Sequence, residues 1–311
     1  MSPSESSQVS RGLWLGAVGV VLFAMTAPMT RLAVGPAEAP QLSPLFVTAG
    51  RAAFAGLLSC LYLAVLRVRR PQRAQVRTLV VSALGTVIGF PLCLGLALRH
   101  VDAMHASVVT GVLPLATAVA AAIAFRQRPS NGFWLCAAAG ALLVITFAAY
   151  QGSGALSAAD LLLLASVACA AVGYVAGARL SAQMPAEHVI CWVLVISLPV
   201  TVPVTWLAWP ATPASASAWG GFAYVTVFSM WLGFFAWYRG LALGGTVRVS
   251  QVQLAQPFLA LLFAVPILGE RLDAVTVGFA LAVVGTVFLG RLMPVGTASA
   301  VLAPPLTARS P

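Results

Sequence analysis

The chain reads as an all-α integral membrane protein: ten transmembrane helices forming two inverted five-helix repeats. Three observations predict this: an apolar composition, ten long apolar runs, and a pattern that recurs almost half a chain length later. Of 311 residues, 60% are hydrophobic and only 8% charged, and the mean hydropathy is +0.97. A soluble domain of this size is about a quarter charged. So little polar surface cannot coat a body in water, so most of the chain must face lipid. There a spanning helix needs about 20 mostly apolar residues.

Such runs centre on 13–33, 44–66, 78–98, 103–125, 132–150, 158–178, 189–208, 219–239, 249–269 and 273–291. Clusters of Pro, Gly and Ser at 36–44, 151–157 and 209–217 mark joints between them. The first run is too long for a signal peptide, and no clear small-residue cleavage site follows it. The expected division is an N-terminal cytoplasmic tail (1–10), a first repeat (11–150), a second repeat (151–292) and a disordered C-terminal tail (293–311). Pro294, Pro304, Pro305 and Pro311 favour disorder in that tail.

The recurring pattern is Gly95-Leu96-Ala97-Leu98 and, later, Gly240-Leu241-Ala242-Leu243. Each precedes a Ser, a polar residue three places on and a Pro seven places on. These are Ser107, Thr110 and Pro114 in the first copy, and Ser250, Gln253 and Pro257 in the second. Five helices per copy is an odd number, so the second copy enters the membrane upside down. An inverted duplication is the usual construction of a carrier, with cargo bound where the halves meet.

All seventeen cations are Arg, against seven acids, for a formal charge of +10. Nucleic-acid binders cluster such charge on a soluble face; here it falls mainly between the apolar runs, so no nucleic-acid partner is expected. The joint after the second run carries Arg67, Arg69, Arg70, Arg73 and Arg77, and later joints on the same side carry Arg126, Arg128 and Arg179. The joints at 151–157 and 209–218 carry none. Positive loops stay in the cytoplasm, which places both termini inside, with Arg99 and Arg271 as minor exceptions.

Cys60, Cys93, Cys136, Cys169 and Cys191 lie apart within apolar stretches and form no CxxC or Cys/His spacing. They read as small packing residues, with no metal or cofactor implied. The spans hold no HExxH, paired aspartates or Ser/His pair for proteolysis, no paired His for haem, and no GxxxxGK[ST] for a nucleotide-driven pump. No enzymatic activity is expected. The partners are membrane lipid and a small-molecule substrate, and the chain is read as a monomer.

Further features point to a family. Phe46 leads to Arg51 early in the second helix, and an Ala-Leu pair closes the third and eighth helices. Leu268-Gly269-Glu270-Arg271-Leu272 ends the ninth, and Gly278 and Gly285 space the last. With the Ser…Pro helices, these make residues 11–292 resemble the drug/metabolite transporter superfamily, in particular its ten-helix EamA-type exporters. The first copy departs at the Glu element, reading Phe125-Arg126-Gln127-Arg128-Pro129. The resemblance is nearest to bacterial exporters of aromatic amino acids. It implies a bacterial inner membrane protein that exports small metabolites by alternating access, with aromatic or bulky apolar amino acids foremost. A sugar-phosphate, nucleotide-sugar or cationic-drug carrier of the same superfamily, or a passive channel, stands as the alternative.

Ser107, Thr110 and Pro114 share one helix face by their spacing, as do Ser250, Gln253 and Pro257. Proline frees a carbonyl and bends the helix, which suits a passage lining; hydroxyls bonded to their own helix are the plainer reading. Gln253 and Gln256 must point inward, because an amide facing lipid is costly. The eighth helix is rich in aromatics, and Trp231, Trp237 and Tyr238 are candidate cavity lining. Trp231, mid-span, either forms a stacking wall for a flat or apolar substrate, completed by Phe90 and Tyr174, or fills space between helices, the plainer reading. Arg51 either attracts a substrate carboxylate or serves structurally, by snorkelling or binding helix-end carbonyls. The resemblance implies an Arg there whatever the cargo, which favours the structural role. Asp102, Asp160, Glu187, Glu270, Asp273, His100 and His188 fall near predicted helix ends. His105 is the nearest to a buried titratable group and reads as a satisfied packing residue. Facilitated export is therefore expected over proton coupling.

Overall fold

The computed structural model describes residues 3–151, 155–181, 183–244, 251–293 and 295–296. Among these, nine helices are long and apolar enough to span: Ser10–Val34, Pro44–Val65, Arg73–Ala97, Ala103–Ala124, Asn131–Gln151, Ala158–Ser181, Ala186–Leu207, Ala216–Gly240 and Ala274–Leu292. A shorter apolar helix, Val252–Leu268, stands where the ninth run was expected. The ten are numbered first to tenth in chain order, with Val252–Leu268 as the ninth.

One expectation at the ends needs correction. The first helix begins at Pro3, ahead of the span that starts at Ser10, so the N-terminal stretch 3–10 is helical. Val295 and Gly296, expected to be disordered, pair antiparallel with Pro129 and Arg128. The rest of the expected tail, 297–311, lies outside the described residues, as do Ser250 and its neighbours 245–249.

Five of the helices are broken, and four of the breaks correspond between the halves. The third runs as α-helix over Arg73–Ser82, widens into π-helical turns over Ala83–Gly89 and resumes over Phe90–Ala97. The eighth does the same, with α-helix over Ala216–Tyr224, π-helical turns over Val225–Leu232 and α-helix over Gly233–Gly244. In the third helix Pro91 has no N–H to offer the preceding turn, which helps to open it. The fourth breaks between Ala103–Thr110 and Leu113–Ala124, just ahead of Pro114. The ninth opens as 3-10 helix over Gln251–Ala255 and becomes α-helical at Gln256, just ahead of Pro257. The first is interrupted at Met25.

The packing follows the same symmetry. The first helix lies along the eighth as the sixth lies along the third, while the second pairs with the seventh and the fifth with the tenth. Glycines allow these crossings. A Cβ on Gly85 would meet the Cys169 carbonyl at 2.5 Å, and one on Gly240 would meet the Gly16 nitrogen at 2.6 Å. Gly85 and Gly240 thus sit at close backbone approaches that no larger side chain fits.

Candidate functional site: a central cavity between the repeats

The breaks converge. Two adjoining pockets occupy the centre, each with an empty volume of about 600 Å³, and both are lined by Phe23, Thr26, Phe90, Thr110, Gln253 and Gln256. One adds Ser107, Gly111, Pro114 and Pro257; the other adds Arg51, Thr86, Tyr174, Ser229 and Phe234. Every interrupted helix contributes at or beside its interruption. Non-helical backbone is tolerated at membrane depth only where it is buried in protein or lines a cavity.

Phe90, Ser107, Thr110, Pro114, Tyr174, Gln253, Gln256, Pro257 and Arg51, all singled out from sequence, line this space. Ser250 lies outside the described residues. Ser107 Oγ donates to the Ala103 carbonyl at 2.7 Å and Thr110 Oγ1 to the Ala106 carbonyl at 2.8 Å. Their hydroxyl protons are therefore committed to their own helix, and toward the cavity they offer acceptors. Gln256 Oε1 is buried without a hydrogen-bond partner.

Trp231, Trp237 and Tyr238 are not among the residues lining the cavity, and Trp231 takes the space-filling role. Trp231 packs against Phe235 and Tyr62, at ring distances of 4.9 and 6.3 Å. Trp237, 9% exposed, closes on Val20 and the Gly19 backbone, and Tyr238 stacks beside Phe234. The reason is helical phase. The π-helical turns over Val225–Leu232 shift the face of everything after them, so Ser229, Met230 and Phe234 reach the cavity instead. An apolar run carries no mark of such a shift, so Ser229 and Thr26 gave no signal in the sequence.

Arg51 also departs from its favoured structural reading. It is 3% exposed, so it does not snorkel, and it binds no helix-end carbonyl. Among the described residues its hydrogen bond is from Nη2 to Ser229 Oγ at 3.2 Å, and that oxygen also shares a 2.8 Å bond with Thr26 Oγ1. Arg51 Nε and Nη1 have no partner.

His100, Asp102, His105, Asp160, Glu270 and Asp273 gather at one end of the bundle, whereas Glu187 and His188 open the seventh helix at the other. His105 Nε2 lies 2.6 Å from Asp160 Oδ1, and the other carboxylate oxygen of Asp160 accepts from the amide and hydroxyl of Ser157. His105 is therefore satisfied, its ring stacked on Phe147. Glu270, in the joint after the ninth helix, accepts from the amides of Ala103 and Met104 at 2.7 and 2.8 Å. It thus caps the fourth helix of the opposite repeat. Burial raises the pKa of Glu270 above the ordinary carboxylate value, and the two amides only partly offset this. Asp273 caps the tenth helix, and the hydroxyl and amide of Thr276 hold its pKa below that value. No Asp, Glu or His is among the residues lining the central cavity.

The model of the EamA-like transporter family matches residues 10–149 and again 157–291. The chain belongs to the EamA-like transporter family. It is 44% identical over 284 residues to "Uncharacterized transporter YdeK" of Bacillus subtilis (strain 168), covering 89% of this chain and 96% of that protein. A solved crystal structure shares the fold with a TM-score of 0.60 at 20% identity, over 90% of this chain and 98% of its own. Multi-pass membrane insertion and a transporter fold follow from the family and the apolar helices. In this EamA-like chain the interruptions in both matched stretches face one cavity.

Proposed function

We propose that this protein is a secondary transporter of the bacterial inner membrane that exports small metabolites, chiefly aromatic or bulky apolar amino acids. It works by alternating access through the central cavity. One observation carries the reading: corresponding helix breaks from the two inverted repeats line a single polar-and-aromatic space. Phe23, Phe90, Phe234 and Tyr174 supply flat apolar surface, and Gln253, Gln256, Thr26 and Ser229 supply directional polar groups. A nucleotide-sugar or sugar-phosphate cargo would need several cations, and this lining offers Arg51 alone. A cationic drug would need an acid, and the lining has none. The cavity's lack of titratable acids and histidines supports facilitated movement over proton coupling.

Counterflow in proteoliposomes tests the reading. Vesicles preloaded with phenylalanine should take up labelled phenylalanine saturably, without a pH gradient, and tryptophan should compete. Strict dependence on a proton gradient overturns the facilitative mechanism; single-channel currents without counterflow overturn the carrier.

A further inference from the structure

The second of the two central pockets contains a charge with no counter-charge. Arg51 enters it from the second helix, 3% exposed, with Nε and Nη1 unpartnered and Nη2 held by Ser229. None of the chain's seven acids lines the cavity. The undescribed stretch 245–250, Gly-Thr-Val-Arg-Val-Ser, contains no acid either. A guanidinium cannot shed its charge at physiological pH, and an isolated buried cation is costly. Something with negative charge must therefore complete the site when it is occupied.

The geometry narrows what that is. Ser229 fixes one edge of the guanidinium through Nη2 while Nε and Nη1 remain free donors. A planar carboxylate matches guanidinium donors better than a point anion does. Gln256, whose Oε1 lacks a partner, and Tyr174 line the same pocket, and Phe23, Phe90 and Phe234 surround it with apolar surface. A ligand ammonium, by contrast, would find neutral acceptors and aromatic faces but no carboxylate. The pocket is formally +1, so it is neutralised by a net monoanion and left charged by a zwitterion.

Resting on the transport reading above, we infer that Arg51 is the carboxylate receptor of this carrier. Its preferred cargo is an apolar monocarboxylate of net charge −1, such as an aromatic acid or an amino acid whose amine is acylated or absent. A zwitterionic amino acid binds through the same carboxylate, but more weakly.

Three ligands with one apolar body and different charge make the test: 3-phenylpropionate, phenylalanine and phenethylamine, measured as competitors of labelled 3-phenylpropionate on purified protein. The expected order is 3-phenylpropionate, then phenylalanine, then phenethylamine, with about tenfold or more between first and last, as a charge-assisted hydrogen bond implies. Arg51→Gln should abolish binding of 3-phenylpropionate and flatten the order. Should that variant fail to fold, Gln256→Glu places an acid in the same pocket and should shift preference toward phenylalanine and phenethylamine. Equal affinities for all three, phenethylamine the tightest, or no binding of 3-phenylpropionate overturns the inference. Counterflow separates the two readings: phenylalanine counterflow that matches or exceeds that of 3-phenylpropionate overturns the monoanion preference and leaves the carrier standing. Charge-ordered binding without counterflow of any ligand overturns the carrier.

Discussion

Gln256 sits where a membrane protein can least accommodate an unsatisfied amide. Its Oε1 is buried without a partner, and leaving such an atom unpaired costs about 1–3 kcal/mol. Nothing in the packing needs an amide there, so the group is retained against stability for what it does in the cavity. Gln256→Leu, of similar size and without the orphaned acceptor, should leave the Tm in detergent unchanged or raise it, while the counterflow rate falls about tenfold or more. A lower Tm with undiminished counterflow would make Gln256 a structural residue. At this scale the sequence was partly legible. Gln253 and Gln256 were placed inward by the cost of an amide in lipid, and Thr110 and Pro114 by their spacing on one face. The setting of Arg51 was not, because its partner Ser229 is 178 positions away and is turned inward by non-α geometry.

The third and eighth helices show what spacing arguments miss at the level of elements. Residues 83–89 and 225–232 read as ordinary apolar helix, and both are π-helical. Aromatic richness marked Trp231, Trp237 and Tyr238 as candidate lining, but along the second of these stretches Ser229, Met230 and Phe234 reach the cavity instead. The Glu270 cap is a second such case. The Leu-Gly-Glu-Arg-Leu stretch resembled its family as a string, but that its carboxylate holds the start of the fourth helix depends on tertiary docking. Its pH behaviour follows from burial. The raised folded-state pKa means that Glu270 takes up a proton more readily in the folded protein than when unfolded. Its contribution to stability is therefore fully present below the unfolded pKa and is lost as pH rises through the raised value. Asp273 has the opposite sign: its depressed pKa gives stability above the unfolded value that is lost as pH falls through the folded one. Thermal unfolding followed from about pH 2.5 to pH 7, which brackets ordinary carboxylate titration, should show Glu270→Gln losing the gain that wild type makes on acidification. Asp273→Asn should keep that gain and lose the decline on the acid side. Parallel profiles for wild type and Glu270→Gln would show that the carboxylate is not held as described.

For the whole molecule, the two repeats are related by their packing as well as by their sequence, since the first helix meets the eighth as the sixth meets the third. Two copies that can exchange conformations give one cavity two openings, which is how an inverted repeat alternates. Which of the two openings meets the cytoplasm depends on which end of the bundle faces inward. One end carries the exposed Arg67, Arg69 and Arg70, with Gln75 hydrogen-bonded to Gln183 and Arg179 to the Ala124 carbonyl. The other gathers Asp102, Asp160, Glu270 and Asp273 into a single acidic vestibule. Arginine in short loops resists translocation whereas acids contribute little, so the arginine end should stay inside. At the acidic end Ala39 is exposed in the joint after the first helix and Ser217 in the first turn of the eighth, and Arg69 is exposed at the arginine end. In intact cells, a membrane-impermeant maleimide should label Ala39→Cys and Ser217→Cys directly, and Arg69→Cys only after permeabilisation. The described native cysteines are half-buried or buried, so the unsubstituted chain serves as the blank. Labelling of Arg69→Cys from outside would invert the topology. Labelling Ala39→Cys and Ser217→Cys from opposite sides would break the two-repeat arrangement, because joints after the first and seventh helices must share a face if every span crosses once.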